Sequence, residues 1–257
     1  MVMEFKKDKL TVKRYDTRQE MGACAAAEAE KIIAAIIAEK GQINMIFAAA
    51  PSQNEMLQNL LNSNLIDWSK VNALHMDEYV GLPEDDSHTF GTYLKEHIFA
   101  HKPFKSVHYI CGSAADSEAE CLRYSALLQQ YPVDVVCLGI GENGHIAFND
   151  PWVVEFNDPK AVKVVELDAM CRNQQVNDGC FPTINDVPTH ALTLTIPSLT
   201  AAKHLFCVVP AATKANAVKN TVYGPITEDC PASIMRLHPS ATLYCDADSG
   251  CYLTDGE

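Results

Sequence analysis

The sequence holds no long apolar run, no basic tract and no paired-cysteine motif, and each absence removes a class of function. No stretch approaches the roughly 20 consecutive apolar residues that a helix needs to cross a bilayer, so no membrane partner is expected. The formal charge is −13 and the lysines and arginines are dispersed, which argues against nucleic acid, whose phosphates attract net cation. A small anionic substrate stays compatible, because it responds to the field of its own pocket. The ten cysteines include no C-x-x-C pair and no Cys/His cluster with zinc spacing, so no structural metal is expected. Cys137 and Cys207 fall inside apolar runs, where a thiol behaves as a small hydrophobe. The opening MVMEFKKDKLTVKRY is charged throughout and lacks the apolar centre of a secretory signal. Dispersed thiols without a signal imply a reducing, cytoplasmic setting. Repeats, low-complexity tracts and linkers are also lacking, and the chain reads as one domain over residues 1–257. A homo-oligomer is compatible with the sequence, which marks no interface.

What is present alternates between strand-like and helical segments. Residues 20–39, rich in Ala, Glu and Ile, have the spacing of a long first helix. INMIFAAA (43–50) and VNALHM (71–76) read as buried strands, with a helix over 51–62 between them and a loop, DEYVGLPEDDS, after the second. Ser87 or Thr89 caps a helix reaching about Phe99, SVHYI (106–110) is a strand, and 116–131 is a helix with acidic first turns. DVVCLGI (134–140) has the unbroken apolar character of a parallel strand buried on both faces. AVKVVEL, HALTLTI, HLFCVVP and TLYCD supply further strands, and 213–222 a further helix. The alternation predicts an α/β protein with an open, mostly parallel, Rossmann-like sheet and helices on both faces.

One motif tests that reading. In LGIGENGHIAFNDP, Gly139, Gly141 and Gly144 have the G-x-G-x-x-G spacing of a dinucleotide fingerprint, and Glu166 closes the next strand as the expected acid. The helix that must open on the last glycine is denied by Pro151 and Pro159, because proline inside a helix removes a hydrogen bond and clashes. No redox cofactor is expected. The glycines are better read as a turn at the sheet's carboxyl edge that brings backbone N–H groups of Gly141 and Gly144 close to an oxygen-rich ligand. His145 beside that turn is the residue type suited to moving protons to or from a ligand, and Asp150 is placed to fix its tautomer. On spacing alone, a turn-capping histidine and a turn-initiating aspartate explain the pair almost as well.

At these residues the sequence resembles the glucosamine-6-phosphate deaminase family, which includes isomerases and lactonases of sugar phosphates. GIGENGHIAFNDP is similar to that family's central motif, HMDEYVGLP (75–83) to a second, and SIMRLHPSATLYCD to a third, so the likeness spans most of the chain. The resemblance implies conversion of glucosamine 6-phosphate and water to fructose 6-phosphate and ammonia, without a cofactor. It implies that Asp77 moves a proton between C2 and C1 and that His145 opens the pyranose ring. Asp150 stands for a family glutamate one methylene longer, so direct support of His145 requires its loop to lie closer. Asn143 stands where members carry Asp or Asn and adds no second charge, leaving His145–Asp150 as the expected pair.

The phosphate end departs from the family. Where a T-G-G-T-P or S-G-G-S loop is usual, this chain reads AAAPSQN (48–54), and Pro51 offers no N–H. Ser52 and Gln53 stay as candidates at the start of a helix, where the dipole favours an anion. Lys214 matches a phosphate-contacting lysine of the family. The family's phosphate arginine has no counterpart in DGCF (178–181), and Arg172 is the nearest substitute. Two rival readings follow: a 6-phosphogluconolactonase, which needs no proton shuttle between carbons, and a non-catalytic sugar-phosphate sensor, which ordinarily carries a DNA-binding segment not seen here.

Overall fold

The computed structural model describes residues 2–177 and 179–254. The first element is one the sequence reading did not place. β1 (Met3–Lys7) and β2 (Leu10–Arg14) form an antiparallel hairpin closed at Asp8, which takes a positive φ of 53°. Met3, Leu10 and Val12 point inward between charged neighbours, the two-residue period of a half-buried strand. α1 (Arg18–Lys40) follows, capped by Thr17, whose side chain accepts from Glu20 N–H, and ended by Gly41 in the left-handed region.

Then come β3 (Ile43–Phe47), α2 (Asn54–Leu61) after a 3-10 turn over Pro51–Gln53, and β4 (Val71–His75). After Met76 alone, the chain enters β5 (Asp77–Tyr79), where the sequence suggested a loop. α3 (Phe90–His97) is capped by Thr89, β6 is Ser106–His108, and α4 (Ser117–Gln130) is capped by Asp116. β7 (Val135–Leu138), β8 (Val162–Glu166), α5 (Ala169–Asn177) and β9 (His190–Leu194) come next. α6 (Ile196–Thr200), β10 (His204–Val209), α7 (Ala215–Tyr223) and β11 (Ala241–Cys245) complete the order.

Eight strands make the main sheet in the order β1-β2-β11-β10-β7-β3-β4-β6, parallel except for β1. The expected mostly parallel, Rossmann-like sheet is therefore present. One part of the expectation needs correction: β8 and β9 do not extend that sheet. They pair antiparallel with each other and with β5 in a separate three-stranded sheet, β5-β9-β8. The reason is at Met76, where the chain steps out of the parallel sheet and offers Asp77–Tyr79 as a new edge; Leu194 N–H donates to Met76 O at 2.8 Å.

Side-chain alternation splits the core into layers. Ile46, Leu74, Val136 and Leu138 face one way, onto Cys121 and Tyr124 of α4 and Val218 and Val222 of α7. Met45, Phe47, Val135 and Cys137 face the other, onto Met21, Ala25 and Ala29 of α1 and Leu57 of α2. Helices thus cover both faces, as the unbroken apolar runs required. Each fully buried Leu, Ile or Phe contributes roughly 1.5–3 kcal/mol of transfer free energy to these layers. Gly22 lets α1 and α2 approach closely: a Cβ there would fall 2.4 Å from Glu55 Cβ. A third, smaller cluster joins Tyr79, Phe148, Val165, Cys171 and Phe181, and it seats α5 on the three-stranded sheet.

Candidate active site

The sheet reverses direction of winding between β3 and β7, and open α/β sheets hold ligands in the crevice outside such a switch point. A cleft of about 270 Å³ lies there. The loops after β3, β7 and β10, together with Met76 and Asp77 and the side of α5, form its walls.

His145 enters from the glycine turn. No helix opens on Gly144; the chain instead folds tightly, with Ile146 bridged to Asn149 and Ala147 at a φ of 51°. Asn149 pins this loop by donating to Ile146 O at 2.9 Å and Leu194 O at 2.8 Å. The loop brings Asp150 within direct reach, and its Oδ1 lies 2.9 Å from His145 Nδ1. Asn143 completes the arrangement, beyond the two-residue pair expected. Its Nδ2 donates to Asp150 Oδ1 at 2.8 Å, while its Oδ1 accepts from His145 N–H at 3.1 Å and lies 2.8 Å from Nδ1. Both neighbours of Nδ1 are acceptors, so Nδ1 carries the proton and Nε2 of the neutral ring is the basic nitrogen.

Asp150 is fully buried, which by itself raises its carboxyl. The charge of His145 and hydrogen bonds from His145, Asn143 and the Cys171 thiol outweigh that and hold it below the ordinary carboxylate range. Gly141 explains itself through the same ring: a Cβ there would lie 2.1 Å from His145 Cε1, so the imidazole occupies the space a side chain would need.

Asp77 stands at the first position of β5, lining the cleft and only 8% exposed. Its carboxylate makes no hydrogen bond to any described residue. Burial, and then the adjacent Glu78 carboxylate, push it well above the usual carboxylate range. Glu78 is spent differently. It accepts from Tyr79 N–H (2.9 Å), Phe90 N–H (3.0 Å) and Gly91 N–H (2.8 Å), tying β5 to the start of α3. Burial pushes Glu78 up to about 7 despite those three donors.

Ser52 and Lys214 also line the wall. Ser52 sits in the Pro51–Gln53 turn, whose carbonyls are held in place: Tyr93 Oη donates to Ala50 O at 2.7 Å and Arg18 Nη2 to Pro51 O at 3.0 Å. Gln53 is not a wall residue. It is completely buried beneath the wall, and its Nε2 donates to Ser52 Oγ at 3.0 Å, Leu138 O at 3.2 Å and Val208 O at 3.4 Å. It positions Ser52 and ties the ends of β7 and β10 together.

Beyond Gln53, and Asn143 and Asp150 behind His145, two more sequence candidates do not line the cleft. Arg172 is turned away: its Nη2 donates to Ile184 O at 2.5 Å and Val187 O at 2.9 Å, and its Nε to Val187 O at 3.2 Å. Those carbonyls, left over by the 3-10 turn Ile184–Asp186, claim the guanidinium. Gly144 also stays outside the lining. Its φ is +88°, and a side chain there would strike Cys230 Sγ at 2.8 Å, so it serves the turn. The expectation of an arginine near 178–181 falls partly on Asp178, which lies outside the described residues.

Several wall residues escaped the sequence reading. Arg18, Gln174, Gln175 and Ala211 all line the cleft. Arg18 had one signal, a cation in a helix's first turn, where the dipole favours acids. Ala211 had none, since its φ of 83° and ψ of 146° belong to a region that glycine ordinarily fills. Gln175 Oε1 accepts from Tyr79 Oη at 2.9 Å, and Gln174 Oε1 accepts from Glu142 N–H at 2.8 Å.

The fold and the cleft are those of a Rossmann-like α/β enzyme working at the carboxyl edge of its sheet. Residues 16–244 match the family described as glucosamine-6-phosphate isomerases/6-phosphogluconolactonase, and the chain belongs to that family. A glucosamine-6-phosphate deaminase of Bacillus cereus (strain G9842) is 41% identical over 189 residues, spanning 74% of this chain and 70% of that protein. Among solved structures, a monomeric glucosamine-6-phosphate deaminase superposes with a TM-score of 0.85 at 30% identity, over 94% of this chain and 99% of that one. A 6-phosphogluconolactonase from Thermotoga maritima shares the fold, with a TM-score of 0.74 at 17% identity over 91% of this chain and 99% of that one.

Proposed function

We propose that this chain deaminates and isomerises an amino-sugar 6-phosphate, taking glucosamine 6-phosphate and water to fructose 6-phosphate and ammonia. The observation that carries this reading is Asp77: a nine-tenths buried carboxylate, without a hydrogen-bond partner among the described residues, in the same cleft as a histidine whose tautomer is fixed. Buried polar groups are almost always hydrogen-bonded, and the exceptions cluster where a ligand supplies the partner.

The chemistry follows from the two groups. His145 Nε2 takes the anomeric hydroxyl proton and returns it to the ring oxygen, which opens the pyranose to an aldehyde. Asp150 and Asn143 hold the ring and stabilise its cationic form between the two transfers. Asp77, made more basic by burial, removes the proton from C2, next to the carbonyl, and delivers it to C1. The C1 oxygen takes a proton from the substrate's C2 ammonium, which becomes an iminium; water adds to C2 and ammonia leaves, giving the ketose. Ser52 and Lys214 hold the phosphate at the far end, with Gln53 fixing Ser52.

A lactonase has no use for a base between two carbons, so Asp77 separates the readings. Purified protein is given glucosamine 6-phosphate, its galacto isomer or 6-phosphogluconolactone, and ammonia, ketose phosphate and acid release are measured. Turnover of an amino sugar that Asp77→Asn lowers by at least about 10²-fold is expected, in the usual range for a general base. No turnover of either amino sugar by the unaltered protein overturns the proposal, and acid release alone substitutes the lactonase.

A further inference from the structure

The loop after β3 has lost the features that make it a backbone phosphate cradle. Ala50 and Pro51 stand in it without glycine, Pro51 has no N–H, and the carbonyls of both residues are already bound by Tyr93 and Arg18. An anion at this end therefore depends more on side chains than on amides. Lys214 and Ser52 supply one cation and one hydroxyl.

A second cation lines the same end. Arg18 projects from the first turn of α1, where the helix dipole disfavours a positive charge. Its guanidinium is held rigidly. Nε donates to Glu55 Oε1 at 2.7 Å, and Nη2 to Glu55 Oε2 at 2.9 Å and to Pro51 O at 3.0 Å. The close approach of α1 to α2 at Gly22 makes this bidentate clamp geometrically available. Nη1 is left with no hydrogen-bond partner among the described residues. A fork with one edge clamped by a carboxylate and the other open is preorganised to bind an oxyanion.

We infer that Arg18 is a phosphate-binding residue of this enzyme, its Nη1 donating to the 6-phosphate beside Ser52 and Lys214, with Glu55 as the residue that positions it. This rests on reading the cleft as a sugar-phosphate site. Arg18 comes from the start of the first helix, far in sequence from the segment near 178–181, so the guanidinium has been relocated rather than lost. Glu55 neutralises much of the long-range charge of Arg18. The guanidinium therefore contributes a directed hydrogen bond more than a field.

The experiment compares unaltered protein with Arg18→Ala, Glu55→Gln and Lys214→Ala, using inorganic phosphate in calorimetric titration and glucosamine 6-phosphate in steady-state assays. Arg18→Ala is expected to weaken phosphate binding and raise KM by roughly 10- to 100-fold, the loss of one charge-assisted hydrogen bond, with kcat much less affected. Glu55→Gln unclamps the fork but removes a counter-charge, so phosphate affinity should fall less than in Arg18→Ala although the melting temperature drops. Should Arg18→Ala lower the melting temperature and kcat while phosphate affinity stays unchanged, Arg18 only braces the loop and the inference is overturned. If Lys214→Ala weakens phosphate binding and Arg18→Ala does not, the sugar-phosphate reading stands and this assignment alone fails. If the unaltered protein binds neither phosphate nor sugar phosphate, the reading beneath it fails first.

Discussion

The imidazole of His145 lies directly over the backbone of Gly141, in the space where a side chain at residue 141 would have to be. The glycine thus makes room for the base, and a single methyl group is enough to displace it. Gly141→Ala is expected to leave the sheet intact, because β7 ends before it, yet to push the ring off Asp150. Misplacing a catalytic group by about 1 Å costs on the order of 10²-fold in rate. Steady-state turnover beside a thermal melt checks this; wild-type kcat with an unchanged melting temperature contradicts it.

Arg172 gives the converse expectation. Its three hydrogen bonds to the Ile184 and Val187 carbonyls brace α5 against the turn that follows, away from the cleft. Arg172→Ala should destabilise the protein by roughly 1–3 kcal/mol, the cost of leaving such acceptors unmet. KM for an amino-sugar phosphate should stay within about twofold if the residue is only a brace, on the scale where tenfold is about 1.4 kcal/mol. A large KM rise with an unchanged melt would return Arg172 to the phosphate.

Ala211 holds a backbone conformation that suits glycine, and such strain costs of order 1–3 kcal/mol. Its N–H is directed at the Asp246 carboxylate, at 3.1 Å from Oδ2. Ala211→Gly should therefore raise stability by about 1 kcal/mol after the added entropy of the unfolded chain is subtracted. Denaturant melts measure it, and a lower midpoint would show that the strain is absent.

Glu78 should make stability depend on pH in an identifiable sense. Its carboxyl is raised to about 7 in the folded chain from 4.5, so the folded state holds a proton that the unfolded state releases. The stabilisation is full below about 4.5 and is lost as pH rises through about 7. Glu78→Gln removes that dependence, so its stability relative to the unaltered protein should climb between pH 5 and 8, by at most about 3 kcal/mol. His75, lowered to about 4 by burial, slopes the opposite way in both proteins and cancels in the difference. Melts across that range that run parallel would refute the assignment.

The parallel sheet was legible because its strands are continuous apolar runs, the helix over 18–40 because Ala, Glu and Ile recur at helical spacing, and that over 117–130 because its first turns are acidic. What stayed hidden had physical reasons. β1 and β2 are so rich in charge that only Met3, Leu10 and Val12 betray them. α5 buries Cys171, Gln174 and Gln175 toward the cleft, so it shows no apolar stripe to read. Asp77 and His145 were found through their motifs, and the structure lines one cleft with both. Asn143 was read as a candidate that adds no second charge to the His145–Asp150 pair, because charge was weighed and hydrogen-bond geometry was not. Arg18 was passed over since nothing in a linear sequence connects it with the loop at 48–54.

Gln53 gives the two sides of the cleft different mechanical characters. By bonding the Leu138 and Val208 carbonyls with one amide, it adds a side-chain tie beneath the cleft to strands already paired in the sheet. The facing side is built from a separate three-stranded sheet and from α5, whose Gln174 Oε1 accepts from Glu142 N–H of the loop after β7. The cleft can therefore change shape by reshaping α5 and the three-stranded sheet while its floor is kept.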